Sequence, residues 1–239
     1  MLIFAHLCIG AIAGLFLSRL TGNRNMVLAG IFGSILPDLV DKPLEILGLG
    51  DILGYEALIL HTLLALAILC MAGLLAYRFI SPPVPAVMAV IILMVGLHQV
   101  MDLVWMSPER WLYPFFGPIP QSCSCLTPSL APAGGLALDV PVDFVGREVA
   151  TELLSPSELV FLGVLALVLL APRLGERAIL GGSALLGVLG LASLTSLAGL
   201  PVHLIADGGR EMEALLFFVS VVGAFTLWLY GRKDRMGHE

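Results

Sequence analysis

Three histidines and three aspartates stand where an apolar chain has least use for them. His98 and Asp102, in "GLHQVMD", are four residues apart, so a helix carries both on one face. Asp38 and Asp41, in "GSILPDLVDKP", are three apart and share a face if the helix continues through "PDLVD". His61 lies in "LHTLLALA" and His6 in "FAHLCIGAIAG". Imidazole and carboxylate groups on facing helices can ligate zinc, manganese or iron, and bundle cores are a recurrent place for such sites. Plainer roles exist for each residue. A lone His-x-x-x-Asp pair is also a hydrogen-bonded structural pair, Asp38 after Pro37 also a helix cap with Lys42 as counter-ion, and His6 also an interfacial residue satisfied by water. Glu56, at the start of an apolar run, suits the positive end of a helix dipole.

These residues must be positioned by membrane helices. Of 239 residues, 59% are hydrophobic and only 13% charged, with a mean hydropathy of +1.00. A soluble domain carries roughly 45–50% apolar and about 25% charged residues. The apolar residues gather into runs at about 2–18, 26–37, 57–77, 84–104, 157–172, 177–200 and 212–230, and a spanning helix takes about 20 residues. The expected fold is all-α, a polytopic membrane bundle of six or seven transmembrane helices. The second run is short for a span and reads as tilted or re-entrant. Ser155, Pro156 and Glu158 open the fifth with a serine cap, a first-turn proline and a glutamate three residues after the cap. The first run has no basic start and no cleavage-like triplet after it, so it reads as a retained helix rather than a signal peptide. The organisation expected is N-terminal membrane helices over 1–104 carrying the site, an extramembrane loop over 105–156, and C-terminal helices with a basic tail over 157–239. Within that loop, "FVGREVATELL" suits a short interfacial helix.

Lysine and arginine in the connections set the orientation. Arg19, Arg24, Arg78, Arg173, Arg177, Arg232, Lys233 and Arg235 fall on one side, and Lys42, Arg110, Arg147 and Arg210 on the other. The first side reads as cytoplasmic, which puts the N-terminus outside and the C-terminus inside a plasma or inner membrane, provided the second run crosses. On that topology His6, Asp38, Asp41, His61, His98 and Asp102 all fall in the outer layer, joined by His203 and Asp207 in the last outer connection. The inner halves are Leu, Ala, Val and Gly. Trp105, Trp111 and Tyr113 suit an aromatic belt at the outer interface. Cys8 and Cys70, inside apolar runs, read as core residues. Cys123 and Cys125 are too close for an easy mutual disulfide; pairing with another chain, metal binding and no role at all stay open. No basic stripe exists for nucleic acid, and membrane lipids are the expected partners.

The stretches "FAHLCIGAIAG", "GSILPDLVDKP", "LHTLLALA" and "GLHQVMDLVWMSPERWLYPF" resemble, in order, motifs of the YdjM-like (LexA-regulated type) membrane-bound metal-dependent hydrolases. The resemblance covers about the first 117 residues. It implies that His6, Asp38, His61, His98 and Asp102 occupy the family's metal-site positions. Three departures stand out. Val40 intervenes before Asp41, which takes the second acid. Glu56 stands where the family often has a second histidine. Leu97, after Gly96, replaces the serine usually found before the histidine matching His98.

The function expected is a metal-dependent hydrolase with its site at the outer membrane-water boundary, acting on a phospholipid or other lipid-linked ester. A divalent metal, zinc or manganese, would be held by His6, Asp38, His61, His98 and Asp102. Asp41 or Glu56 would serve as general base or bridging ligand, and Lys42 would neutralise a developing phosphate charge. A proton-coupled permease using the same carboxylates is the rival; it calls for polar residues continuing to the inner side. A structural membrane protein packed through the small residues of "LGGSALLGVLGLASL" is the third reading.

Overall fold

The computed structural model describes residues 3–46, 59–115, 155–198 and 209–236. Among them the chain is all-α, without a strand. The helices are α1 (Ile3–Thr21), α2 (Asn25–Ile46), α3 (Leu63–Phe79), α4 (Val84–Met101), α5 (Pro108–Trp111), α6 (Pro156–Leu174), α7 (Glu176–Leu197) and α8 (Gly209–Met236), with a 3-10 turn at Val104–Met106. Helices α1, α4, α6 and α7 and the Glu213–Gly231 part of α8 are long and apolar enough to cross a membrane, and α3 is a shorter apolar helix.

Helix α2 corrects the expectation of a short second helix ending near residue 37. It runs for 22 residues, straight through Pro37 and Pro43. Pro37 removes the N–H that would bond the Gly33 carbonyl and strains the preceding turn. The helix nonetheless continues into the following turn, where Asp38 and Asp41 are 3% and 2% exposed. The acidic pair therefore lies on a continuous helix, one face inward.

The described residues divide into two compact units. The first comprises residues 3–32, 155–198 and 209–236. Here α1 is tied at one end to α6, where the Phe4 N–H donates to Glu158 Oε2 at 2.7 Å and the Cys8 thiol to the Phe161 carbonyl at 2.9 Å. At its other end the Arg19 guanidinium donates to the Tyr230 carbonyl of α8 and lies 4.9 Å from the centre of that ring. Ser155 caps α6 as its sequence predicts, accepting from the Glu158 N–H. The Glu158 carboxylate does not complete that capping box; it serves the first turn of α1 instead, whose N–H groups lack intrahelical partners. A Cβ on Gly30 would collide with the Gly10 carbonyl, so the start of α2 meets α1 backbone to backbone.

The second unit comprises residues 33–46 and 59–115. Helices α3 and α4 form an antiparallel pair, with Gly73 facing Ile92 and Gly96 facing Leu66. Helix α3 starts later than expected. Residues 59–62 form a turn whose Thr62 hydroxyl accepts from the Ala65 N–H and donates to the Ile59 carbonyl, capping the helix. Cys70, expected in the core, is exposed on α3, on an apolar face that turns outward, while Cys8 is buried. At Gly33 a Cβ would stand 2.8 Å from both the Cα and the carbonyl oxygen of Ile91. Only a glycine lets α2 approach α4 this closely, immediately before Ser34.

Candidate metal centre

Three elements of the second unit deliver the polar residues. His98 occupies the last turn of α4, and Asp102 is its C-cap residue, bonded through its N–H to the His98 carbonyl. Leu103 then takes the left-handed conformation, φ +54°, in the position that glycine usually fills beyond a helix end. A branched side chain there costs about 1–2 kcal/mol. The chain turns off sharply as a result, so Asp102 stays beside His98 with its side chain 28% exposed. Asp38 and Asp41 come from α2. His61 comes from the turn before α3, not from one turn inside that helix, because the Thr62 cap starts the helix after it.

Four donor atoms converge. His61 Nε2 lies 3.1 Å from His98 Nε2. Asp102 Oδ2 is 3.5 Å from the first and 3.4 Å from the second. Asp38 Oδ1 is 3.9 and 3.8 Å from the same two nitrogens. All four ligand atoms lie within 4.8 Å of one another, and Asp38, His61 and His98 are buried. Two ligands of one ion, each about 2.0–2.2 Å from it, stand at most roughly 4.4 Å apart. These five separations, from 3.1 to 3.9 Å, meet that limit.

Hydrogen bonding explains why these nitrogens face inward. His98 Nδ1 is 2.7 Å from the Ser34 carbonyl oxygen, which can only accept, so this nitrogen carries a hydrogen. His61 Nδ1 is 2.6 Å from Asp41 Oδ2, a carboxylate oxygen that likewise accepts. With both rings neutral, the Nε2 atoms are thereby left to present lone pairs to the centre, the arrangement that orients metal-binding imidazoles. Burial disfavours charge on His61, but the carboxylates of Asp102 and Asp41 outweigh it and hold the imidazole up to about 9. Asp38 Oδ2 is buried with no hydrogen-bond partner among the described residues. Such a collection of acceptors needs a cation, and the group can hold a metal ion.

The remaining sequence-derived residues fall as follows. Asp41 lies behind His61, and its two oxygens also accept from the Leu60 and His61 N–H groups at 3.0–3.2 Å. Lys42 is half-buried on α2, one turn past Asp38. His6 is 1% exposed on α1 in the first unit, and it is not one of the four convergent residues. Glu56, His203, Asp207, Cys123, Cys125 and the "FVGREVATELL" segment lie outside the described residues. Residue reading overlooked Ser34, which acts through its backbone and leaves no side-chain signal. It also overlooked Gln99, whose signal was an amide in an otherwise apolar helix. Trp111 is half-buried, and its indole N–H is taken up by Gln99.

Fold and site define a multi-pass helical membrane protein carrying an Asp-His-His-Asp group able to hold a metal. The profile of the YdjM inner membrane protein family matches residues 1–171, and the chain belongs to that family. No curated protein and no solved structure matches the chain.

Proposed function

We propose that the protein is a membrane-bound metal-dependent hydrolase, with a divalent zinc or manganese ion held by Asp38, His61, His98 and Asp102. The observation that carries this reading is the convergence of two imidazole lone pairs and two carboxylate oxygens, one of them on solvent-reachable Asp102. A divalent ion there supplies Lewis acidity and lowers the pKa of bound water towards about 7. The chain's own residues do the rest. Asp41 and Ser34 hold the imidazoles in the ligating tautomer, and buried Asp38 closes the inner side. Asp102, exposed at the rim, is the residue placed to receive a proton from water at the open face. This assigns Asp41 to orientation rather than to the general base, since three donors already engage its oxygens.

A phospholipid or other lipid-linked ester suits a site at headgroup depth, with the N-terminus outside and the C-terminus in the cytoplasm. Exposed Leu103, Trp105 and Met106, immediately after Asp102, suit contact with acyl chains. Lys42, one turn from Asp38, is the cation available to a phosphate. Protein loaded with Zn²⁺ or Mn²⁺ in phospholipid vesicles should release a water-soluble or acyl product, and chelation should stop it. Metal binding without product from any ester or phosphoester lipid would reject the hydrolase reading.

A further inference from the structure

We propose that Gln99 is a positioning residue for the metal centre, setting where His61 presents its Nε2, with Trp111 holding Gln99 in place. The inference rests on the reading that Asp38, His61, His98 and Asp102 hold a metal. His61 is not carried by a helix or its cap; it stands in the 59–62 turn. A ligand on a turn is held less accurately than one on a helix unless its backbone is fixed from outside.

That backbone is fixed from two sides. Asp41 takes the N–H groups of Leu60 and His61. The Gln99 amide donates to the Leu60 carbonyl at 2.8 Å and to the Thr62 carbonyl at 3.1 Å. The Leu60–His61 peptide group is therefore engaged by side chains from both α2 and α4, and the Thr62 carbonyl that follows by α4. Gln99 spends both of its amide hydrogens on this, and its oxygen accepts from the Trp111 indole at 3.0 Å. A flipped amide would set its oxygen against two carbonyls, so the bonding pattern decides its orientation. The side chain is 2% exposed, and a buried amide is favourable only when its bonds are made.

Adjacent residues on a helix point about 100° apart. Helix α4 thus supplies a ligand with His98 and, with the next residue, the brace for the ligand opposite. Gln99 acts through His61 and touches neither ion nor substrate. Trp111, beyond the end of α4, makes the geometry at His61 depend on how residues 104–111 are folded.

The test compares Gln99→Met and Trp111→Phe with wild type as full-length protein in detergent. Gln99→Met keeps the length and removes both donors, and Trp111→Phe removes the indole N–H and part of the ring while keeping an aromatic side chain. The readouts are Co²⁺ affinity, the visible absorption of the Co²⁺-loaded protein, Zn²⁺ competition and thermal unfolding. Gln99→Met should weaken Co²⁺ about 10–100-fold, the range for residues that orient metal ligands, and shift the absorption bands. Trp111→Phe should move both in the same direction by less. Lowered melting with unchanged affinity and spectrum in the folded variants would overturn the proposal and leave Gln99 a structural tie. If Gln99→Met does not fold, unchanged affinity and spectrum in Trp111→Phe overturn it alone. Wild type that binds neither Co²⁺ nor Zn²⁺ overturns the metal reading and this inference together; wild type that binds, with variants alike, overturns only this one.

Discussion

The Nε2 atoms of His61 and His98 face each other at 3.1 Å while their Nδ1 atoms are committed to Asp41 and to the Ser34 carbonyl. Two imidazole lone pairs at that distance repel unless a cation lies between them. In the metal-free protein a proton on His61 fills the role, and the carboxylates of Asp102 and Asp41 hold this imidazole up to about 9. A divalent metal displaces that proton.

Metal affinity should therefore depend on pH with a definite sign. Below about 9 the metal-free site carries a proton on His61, and binding must release it. Affinity for Zn²⁺ should rise about tenfold per pH unit between neutrality and that value, then level off. Calorimetry in buffers of different ionisation enthalpy measures the released proton directly, and a flat profile would contradict the arrangement. Without metal the linkage runs the other way. The raised pKa stabilises the folded state fully below the unfolded histidine value of about 6.5, and that contribution fades as pH climbs through 9.

Asp41→Asn should weaken metal binding without abolishing it. The amide has one oxygen for three donors and places an NH₂ where an acceptor is needed, so the His61 turn loses part of its hold. A loss of about 10–100-fold in Zn²⁺ affinity, with near-normal helix content, is expected from titration and circular dichroism. An Asp41→Asn protein that binds like wild type would remove Asp41 from the site's support.

Gly33→Ala should both destabilise the protein and loosen the site. The added methyl would lie 2.8 Å from the Ile91 backbone and 2.9 Å from Met94 Cβ, forcing α2 off α4 and stretching the Ser34–His98 bond. Overpacking of this kind costs about 1–3 kcal/mol. Gly187→Ala, where nothing lies within 4 Å of the new methyl, is the control and should not destabilise, since alanine is favoured over glycine in a helix interior by about 0.5–1 kcal/mol. Unfolding in detergent, followed by metal titration, checks both.

Much of this site was legible because helical spacing and chemistry agree. His98 and Asp102 at i and i+4 in an apolar run left few places for the pair to go, and Asp38 with His61 supplied partners in like surroundings. What stayed hidden was tertiary. Pro37 marks a helix end by local rules, yet α2 runs on past it with Asp38 and Asp41 buried. Glu158 fits a capping box by spacing, yet its carboxylate serves another helix. Asp41 resembles its neighbour Asp38 in sequence, but one turn of helix separates an oxygen aimed at Nε2 from one bound to Nδ1. Ser34 contributes a carbonyl, which every residue has.

The most direct measurement is elemental analysis of the detergent-purified full-length chain beside its His98→Ala variant. Removing this imidazole takes away one convergent nitrogen and leaves the Ser34 carbonyl and Asp38 without their counterpart. A divalent metal should be bound stoichiometrically in wild type and lost in the variant, with both proteins helical. Equal metal content in the two, or none in wild type after supplying Zn²⁺ and Mn²⁺, would contradict it.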